Sequence, residues 1–104
     1  MKLRRDTLAF SLAASDSLEE EYHCSFGLNP AYRRALDEAG MTFSGEDDAG
    51  DARVAEIAGH PFFLASLFQP ERAALRGRLH PFVRAFFDAA RLRQRRVQAE
   101  ARVR

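Results

Sequence analysis

The side chains in this sequence with the chemistry to do more than fold are few: His23 beside Cys24, Gln69 and Glu71 around Pro70, and His60 and His80, each followed by proline. A cysteine next to a histidine suggests acyl transfer by a thiolate that an adjacent base generates. The spacing argues against it. Tyr22, Cys24, Phe26 and Leu28 alternate with Glu21, His23, Ser25 and Gly27, a period of two that puts His23 and Cys24 on opposite faces of a strand. Cys24 then shares the apolar face with Tyr22 and Phe26 and reads as a small buried residue, not a reactive thiol. It is the sole cysteine, so there is no intrachain disulfide and no thiolate metal site, and a reducing, cytoplasmic setting is expected. Capping and turn roles account for His60 and His80, and a metal site would need a third ligand that the sequence does not suggest. No cofactor is expected.

The elements that position these residues follow from hydrophobic periodicity and punctuation. Leu8, Phe10 and Leu12 alternate with Thr7, Ala9 and Ser11 and predict a short strand; Ser17 with Glu20 has capping-box spacing for a brief helical turn. The alternation from Glu21 predicts a second strand. Asn29-Pro30 opens a helix with an N-cap and a proline at its first position; Tyr32, Ala35, Leu36 and Ala39 form its stripe, and Gly40 ends it. Met41–Ser44 and Arg53–Ile57 flank a Gly/Asp-rich loop and predict an antiparallel hairpin. The apolar run Phe62–Phe68 reads as a central strand covered on both faces, with Gln69-Pro70-Glu71 as the loop that ends it. Pro81 opens the last helix, on which Phe82, Phe86, Ala89 and Ala90 make a stripe that thins after Ala90 and frays among arginines.

With 104 residues the chain has room for one domain, here divided into a body, 1–92, and a basic tail, 93–104. The net charge of +1 offers no global field for nucleic acid. Arg91, Arg93, Arg95, Arg96, Arg102 and Arg104 face only Glu100, but a solvated helix end favoured by the helix dipole accounts for them, and nucleic acid is not expected as a partner. Neither a signal peptide nor an apolar run of membrane-spanning length is evident, so no membrane partner is expected. Phe62, Phe63, Phe68, Phe82, Phe86 and Phe87 are read as core.

A set of motifs in order carries a resemblance to a known family: Met1-Lys2-Leu3; Asn29-Pro-x-Tyr through Ala39-Gly40; Phe43-Ser44-Gly45; Val54-x-Glu56-Ile57; His60-Pro61-Phe62-Phe63-Leu64-Ala65; Phe68-x-Pro70-Glu71; and His80-Pro81-Phe82 before Phe86. Together they resemble the C-terminal half of the class I glutamine amidotransferase domain of CTP synthase. The resemblance implies an α/β fold, partial and flavodoxin-like, with a mixed sheet, a hairpin and two main helices. In that family the nucleophile is a cysteine on a glycine-flanked turn in the first half of the domain, and Cys24 does not match it. The family's base and its orienting acid lie in Phe-His-Pro-Glu, which here reads Phe68-Gln69-Pro70-Glu71.

Gln69 thus replaces the group that must accept the thiol proton and later protonate the departing ammonia, which an amide cannot do. Glu71 persists, and the Gln69 amide has the donors to bond its carboxylate. The family's basic run before Asn29, which holds the substrate glutamine, has become Glu20-Glu21-Tyr22-His23-Cys24-Ser25-Phe26, leaving His23 and Ser25 as the remaining ligand-binding candidates. These changes imply a non-catalytic assembly or regulatory module; the alternative is a fragment of a split or truncated enzyme that needs another chain for its cysteine. Half of such a sheet exposes an edge, so a homo-oligomer or a companion chain supplying the missing half is the expected partner.

Overall fold

In the computed structural model, which describes every residue except Cys24, Ser25 and Arg104, the sheet is built on a hairpin. β2 (Met41–Glu46) and β3 (Ala52–Ile57) pair antiparallel, Met41 opposite Ile57 and Phe43 opposite Ala55. Asp47 shapes the turn: its Oδ1 accepts from the Ala49 and Asp51 amides and its Oδ2 from Arg53 Nε. Short strands complete the sheet, β1 (Lys2–Leu3) beside β2 and β4 (Leu64–Ser66) beside β3, in the order β1-β2-β3-β4 with every pairing antiparallel. The register slips between Phe43 and Glu46, where Gly45 lies so close to Val54 that a Cβ would meet its Cγ2 at 2.9 Å. A side chain there would collide with β3, so the bulge needs glycine.

The α/β class, the hairpin and the two main helices are as expected: α2 (Pro30–Glu38) starts with Asn29 Oδ1 accepting from the Ala31 amide, and α3 (Pro81–Val103) starts at the second His-Pro. Leu8–Leu12 corrects the expected strand. Leu8–Ala13 is a helix, α1, closed by Ala14 in the left-handed region. Leu8 and Leu12 stand at i and i+4, so the same residues fit either period, and the caps decide between them. Thr7 Oγ1 accepts from the Phe10 amide, and the carboxylate of Glu56, on β3, accepts from Leu8 N at 2.6 Å and Ala9 N at 3.1 Å. Three otherwise orphaned N–H groups are thereby satisfied.

The expected strand after Glu21 is not formed at 21–23 or 26–28, and Phe26 is 83% exposed. Tyr22 instead packs on the core and stacks against the Arg53 guanidinium, 4.4 Å from the ring centre. The reading of Cys24 as buried falls outside the described residues. No helical turn follows Ser17, which bridges to Lys2. The run 62–68 yields only the three-residue β4 at the sheet edge, with Ala65 exposed; within the described residues no strand pairs beyond it, so it is an edge strand and not a central one. Gln69 is followed by a 3-10 helix, Pro70–Arg76, where a loop was expected.

The core is small: Leu3, Ala9, Val54, Phe68 and Phe82 are buried, with Met1, Phe10, Leu12, Tyr22 and Leu64 packed against them. Of the six phenylalanines read as core, Phe68 and Phe82 are buried; Phe63, Phe86 and Phe87 are exposed. Nor does α3 fray after Ala90. It continues as unbroken helix to Val103, with every described residue from Ala90 exposed.

Candidate functional site

The 3-10 helix and the irregular segment 18–23 enclose a cleft of about 700 Å³, with His80 and Pro81 at the start of α3 closing one end. Gln69 and His23 both line it, so the structure brings together two residues far apart in sequence. Glu71 does not line it: Pro70 begins the 3-10 helix directly, and Glu71 falls exposed in its first turn. No hydrogen bond joins the Gln69 amide to the Glu71 carboxylate, and Gln69 makes no cap bond to the helix it precedes. Ser25, the other ligand-binding candidate, lies outside the described residues.

The best-organised group in the cleft is one the sequence did not reveal. His80 Nε2 lies 2.6 Å from Glu20 Oε1, with the His80 side chain 6% and that of Glu20 20% exposed. The Phe82 amide donates to His80 Nδ1 at 3.1 Å. Since Nδ1 accepts, the ring proton sits on Nε2 and points at the carboxylate. Phe68 and Phe82 flank the ring, with centroids at 5.5 and 4.9 Å. His60 repeats half of this device, its Nδ1 accepting from the Phe62 amide at 3.0 Å. The turn role expected of His60 and the capping role expected of His80 are therefore present; the Glu20 partner, 60 residues away, left no local signal.

Chemically this arrangement fixes the orientation of an imidazole from both sides, through Glu20 and the Phe82 amide. A base must offer a free ring nitrogen to the proton it removes, and both nitrogens of His80 are engaged. His23 Nε2 is 3.7 Å from Glu21 Oε2, beyond hydrogen-bond range. Arg76 holds Glu21, Nη2 to Oε1 at 2.9 Å, and that hydrogen bond with the guanidinium charge keeps the Glu21 carboxyl below its usual range. Among the described residues no three His, Cys, Asp or Glu side chains converge to hold a metal, and no helix is long and apolar enough to cross a membrane.

Comparison with known proteins places these features in a lineage. No protein-family model matches the chain. It is 42% identical over 89 residues to CTP synthase of Rubrobacter xylanophilus, 40% over 91 residues to that of Pelotomaculum thermopropionicum, and 34% over 93 residues to that of Prochlorococcus marinus. These matches cover 85–88% of this chain but only 16–17% of the relatives' length. The similarity, together with the ordered motifs from Met1 to Phe86, makes the chain a glutamine amidotransferase-like relative of the C-terminal region of CTP synthase.

Proposed function

We propose that this relative is non-catalytic and serves as an assembly or regulatory module in pyrimidine nucleotide metabolism. One observation carries the reading: the proton-transferring position of the family motif is Gln69, and the buried imidazole in the same cleft, His80, has both nitrogens committed to Glu20 and Phe82. Without a titrating group at that point, neither thiolate formation nor protonation of leaving ammonia has a route. A glutaminase assay on the purified protein, with and without an ammonia acceptor, should read blank. Turnover abolished by Glu71→Ala or His23→Ala would overturn the proposal.

Exposed apolar surface supports the assembly role. Phe86 and Phe87 are 54% and 59% exposed, and Phe62 meets Phe86 edge-on at 6.0 Å, forming a continuous aromatic patch. An apolar groove of about 310 Å³ opens between α2 and the sheet, lined by Leu36, Met41, Phe43 and Leu67. β4 forms a sheet edge among the described strands. Patches and edges of this kind mark interaction surfaces. Light scattering at micromolar concentration should give more than the monomer mass, and Phe86→Ser with Phe87→Ser should return it to monomer.

A second reading uses the same surface: one part of a split amidotransferase whose nucleophilic cysteine comes from another chain. The open β4 edge favours it, and Gln69 weighs against it. Purification from the native host decides between them, since recovery without a second polypeptide removes the split enzyme.

A further inference from the structure

Charge in this chain is segregated. Fourteen of the fifteen acidic residues lie at or before Asp88, whereas Arg91, Arg93, Arg95, Arg96 and Arg102 stand in the last part of α3 with only Glu100. That part of the helix leaves the body: every described residue from Ala90 is exposed, and the radius of gyration of 15.6 Å exceeds the roughly 13 Å expected for a compact chain of this length. None of these five arginines takes part in an ion pair among the described residues.

The helix dipole, expected from the sequence to account for these arginines, does not reach most of them, because α3 runs on to Val103. Its influence is confined to the last turn, which contains Arg102, whereas Arg91, Arg93, Arg95 and Arg96 lie two to three turns upstream of Val103. Within the helix, Arg91 and Arg95 stand at i and i+4 and Arg93 and Arg96 at i and i+3, spacings at which like charges repel. A helix that keeps such pairs exposed and unneutralised is suited to a polyanion.

We infer that the projecting half of α3 is a binding element for duplex DNA, entering the major groove and contacting phosphates on both sides. At about 100° per residue, Arg91, Arg95 and Arg102 share one face, and Arg93 and Arg96 point to others. A helix about 10–12 Å across fits a groove about 12 Å wide, with guanidiniums on its flanks reaching both strands. The deep, narrow major groove of RNA does not admit it. A bilayer is disfavoured for a different reason: Val97 lies about 140° around the helix from Leu92, and Arg96 sits within the stripe that Leu92 shares with Ala99 and Val103, so no broad apolar face is left to insert. Fifteen of the chain's sixteen basic residues are arginine, so those of α3 can make bidentate phosphate contact, as arginine does generally. Binding of this kind reads backbone, not sequence. It rests on α3 alone and is independent of the amidotransferase-like cleft.

The test is fluorescence anisotropy of a 20-bp duplex titrated with the full chain between 50 and 200 mM salt. Each engaged phosphate contributes about 0.9 to the slope of log K against log salt. Four to five contacts weaken binding by roughly 150- to 500-fold over that range. Arg95→Ala with Arg102→Ala should lower the slope by about 1.8 while preserving helicity, since alanine is the better helix former. Circular dichroism checks that it does. Absence of binding at 50 mM salt, a slope unchanged in the double variant, single-stranded DNA bound as tightly as duplex, or tighter binding to anionic phosphatidylglycerol vesicles would each overturn the inference.

Discussion

Replacing Glu56 by glutamine tests whether a carboxylate on β3 holds α1 to the sheet. Glu56 is 7% exposed, and among the described residues no Lys or Arg pairs with it; its charge is met by the N-terminus of α1. Leu8 N donates to one carboxylate oxygen and Ala9 N to the other. Glutamine keeps one oxygen and turns an amide NH₂ toward the second donor, so whichever way it flips, one amide loses its acceptor and the other keeps only a neutral one. Hydrogen bonds to charged groups contribute about 1.5–3 kcal/mol each, and a buried donor left unsatisfied costs a similar amount. The expected loss is therefore about 2–4 kcal/mol, a large share of the roughly 5–15 kcal/mol typical of a domain this size.

Urea unfolding monitored by circular dichroism should show a lower midpoint at an unchanged m-value. Thermal unfolding should shift down by roughly 8–32 °C, at about 4–8 °C per kcal/mol. Thr7→Ala removes the third bond of the same cap, to Phe10 N, and should cost about 1 kcal/mol. A Glu56→Gln protein within about 0.5 kcal/mol of the parent, a margin typical of surface substitutions, would refute the view that this carboxylate organises α1.

Three other substitutions probe separate links in the fold. Gly45→Ala forces a Cβ to within 3.0 Å of Val54 Cβ and Met1 Sδ, and overpacking of that kind should cost about 1–3 kcal/mol by urea unfolding. Ser44→Ala should be neutral or stabilising by up to about 1 kcal/mol, since the Ser44 hydroxyl is fully buried without a hydrogen-bond partner and alanine removes that burden. The Asp47 carboxyl is held below its ordinary 3.8 by the Asp51 amide first and the Arg53 side chain next. A depressed carboxyl stabilises the fold above its unfolded pKa and loses that effect as pH falls through the folded value, so Asp47→Asn should flatten the fall in stability below about pH 4 in an acid titration.

Much of what could be read from residues alone was local. Asn29-Pro30 and Gly40 bracket α2 because a cap, a proline and a glycine each satisfy a helix end by themselves. The Gly/Asp loop between Met41 and Ile57 makes a hairpin for the same reason, and each histidine of the two His-Pro pairs accepts a backbone amide two residues further on. Gln69 in place of a histidine is likewise a matter of residue chemistry, and no packing arrangement gives an amide a titrating proton.

Only the tertiary structure decided the rest, because it depends on partners distant along the chain. Leu8–Leu12 carries a pattern that suits strand or helix, and Glu56, 48 residues from Leu8, settles it by capping the helix. Phe62–Phe68 has the composition of a central strand, but a strand is central only if another pairs beyond it, and here β4 ends the sheet among the described strands. Phe86 and Phe87 are apolar in either setting, and whether they are core depends on whether anything covers them. His80 and Glu20 meet across 60 residues at 2.6 Å, a distance set by the packing of segment 18–23 against the start of α3 and by nothing in the local sequence of either.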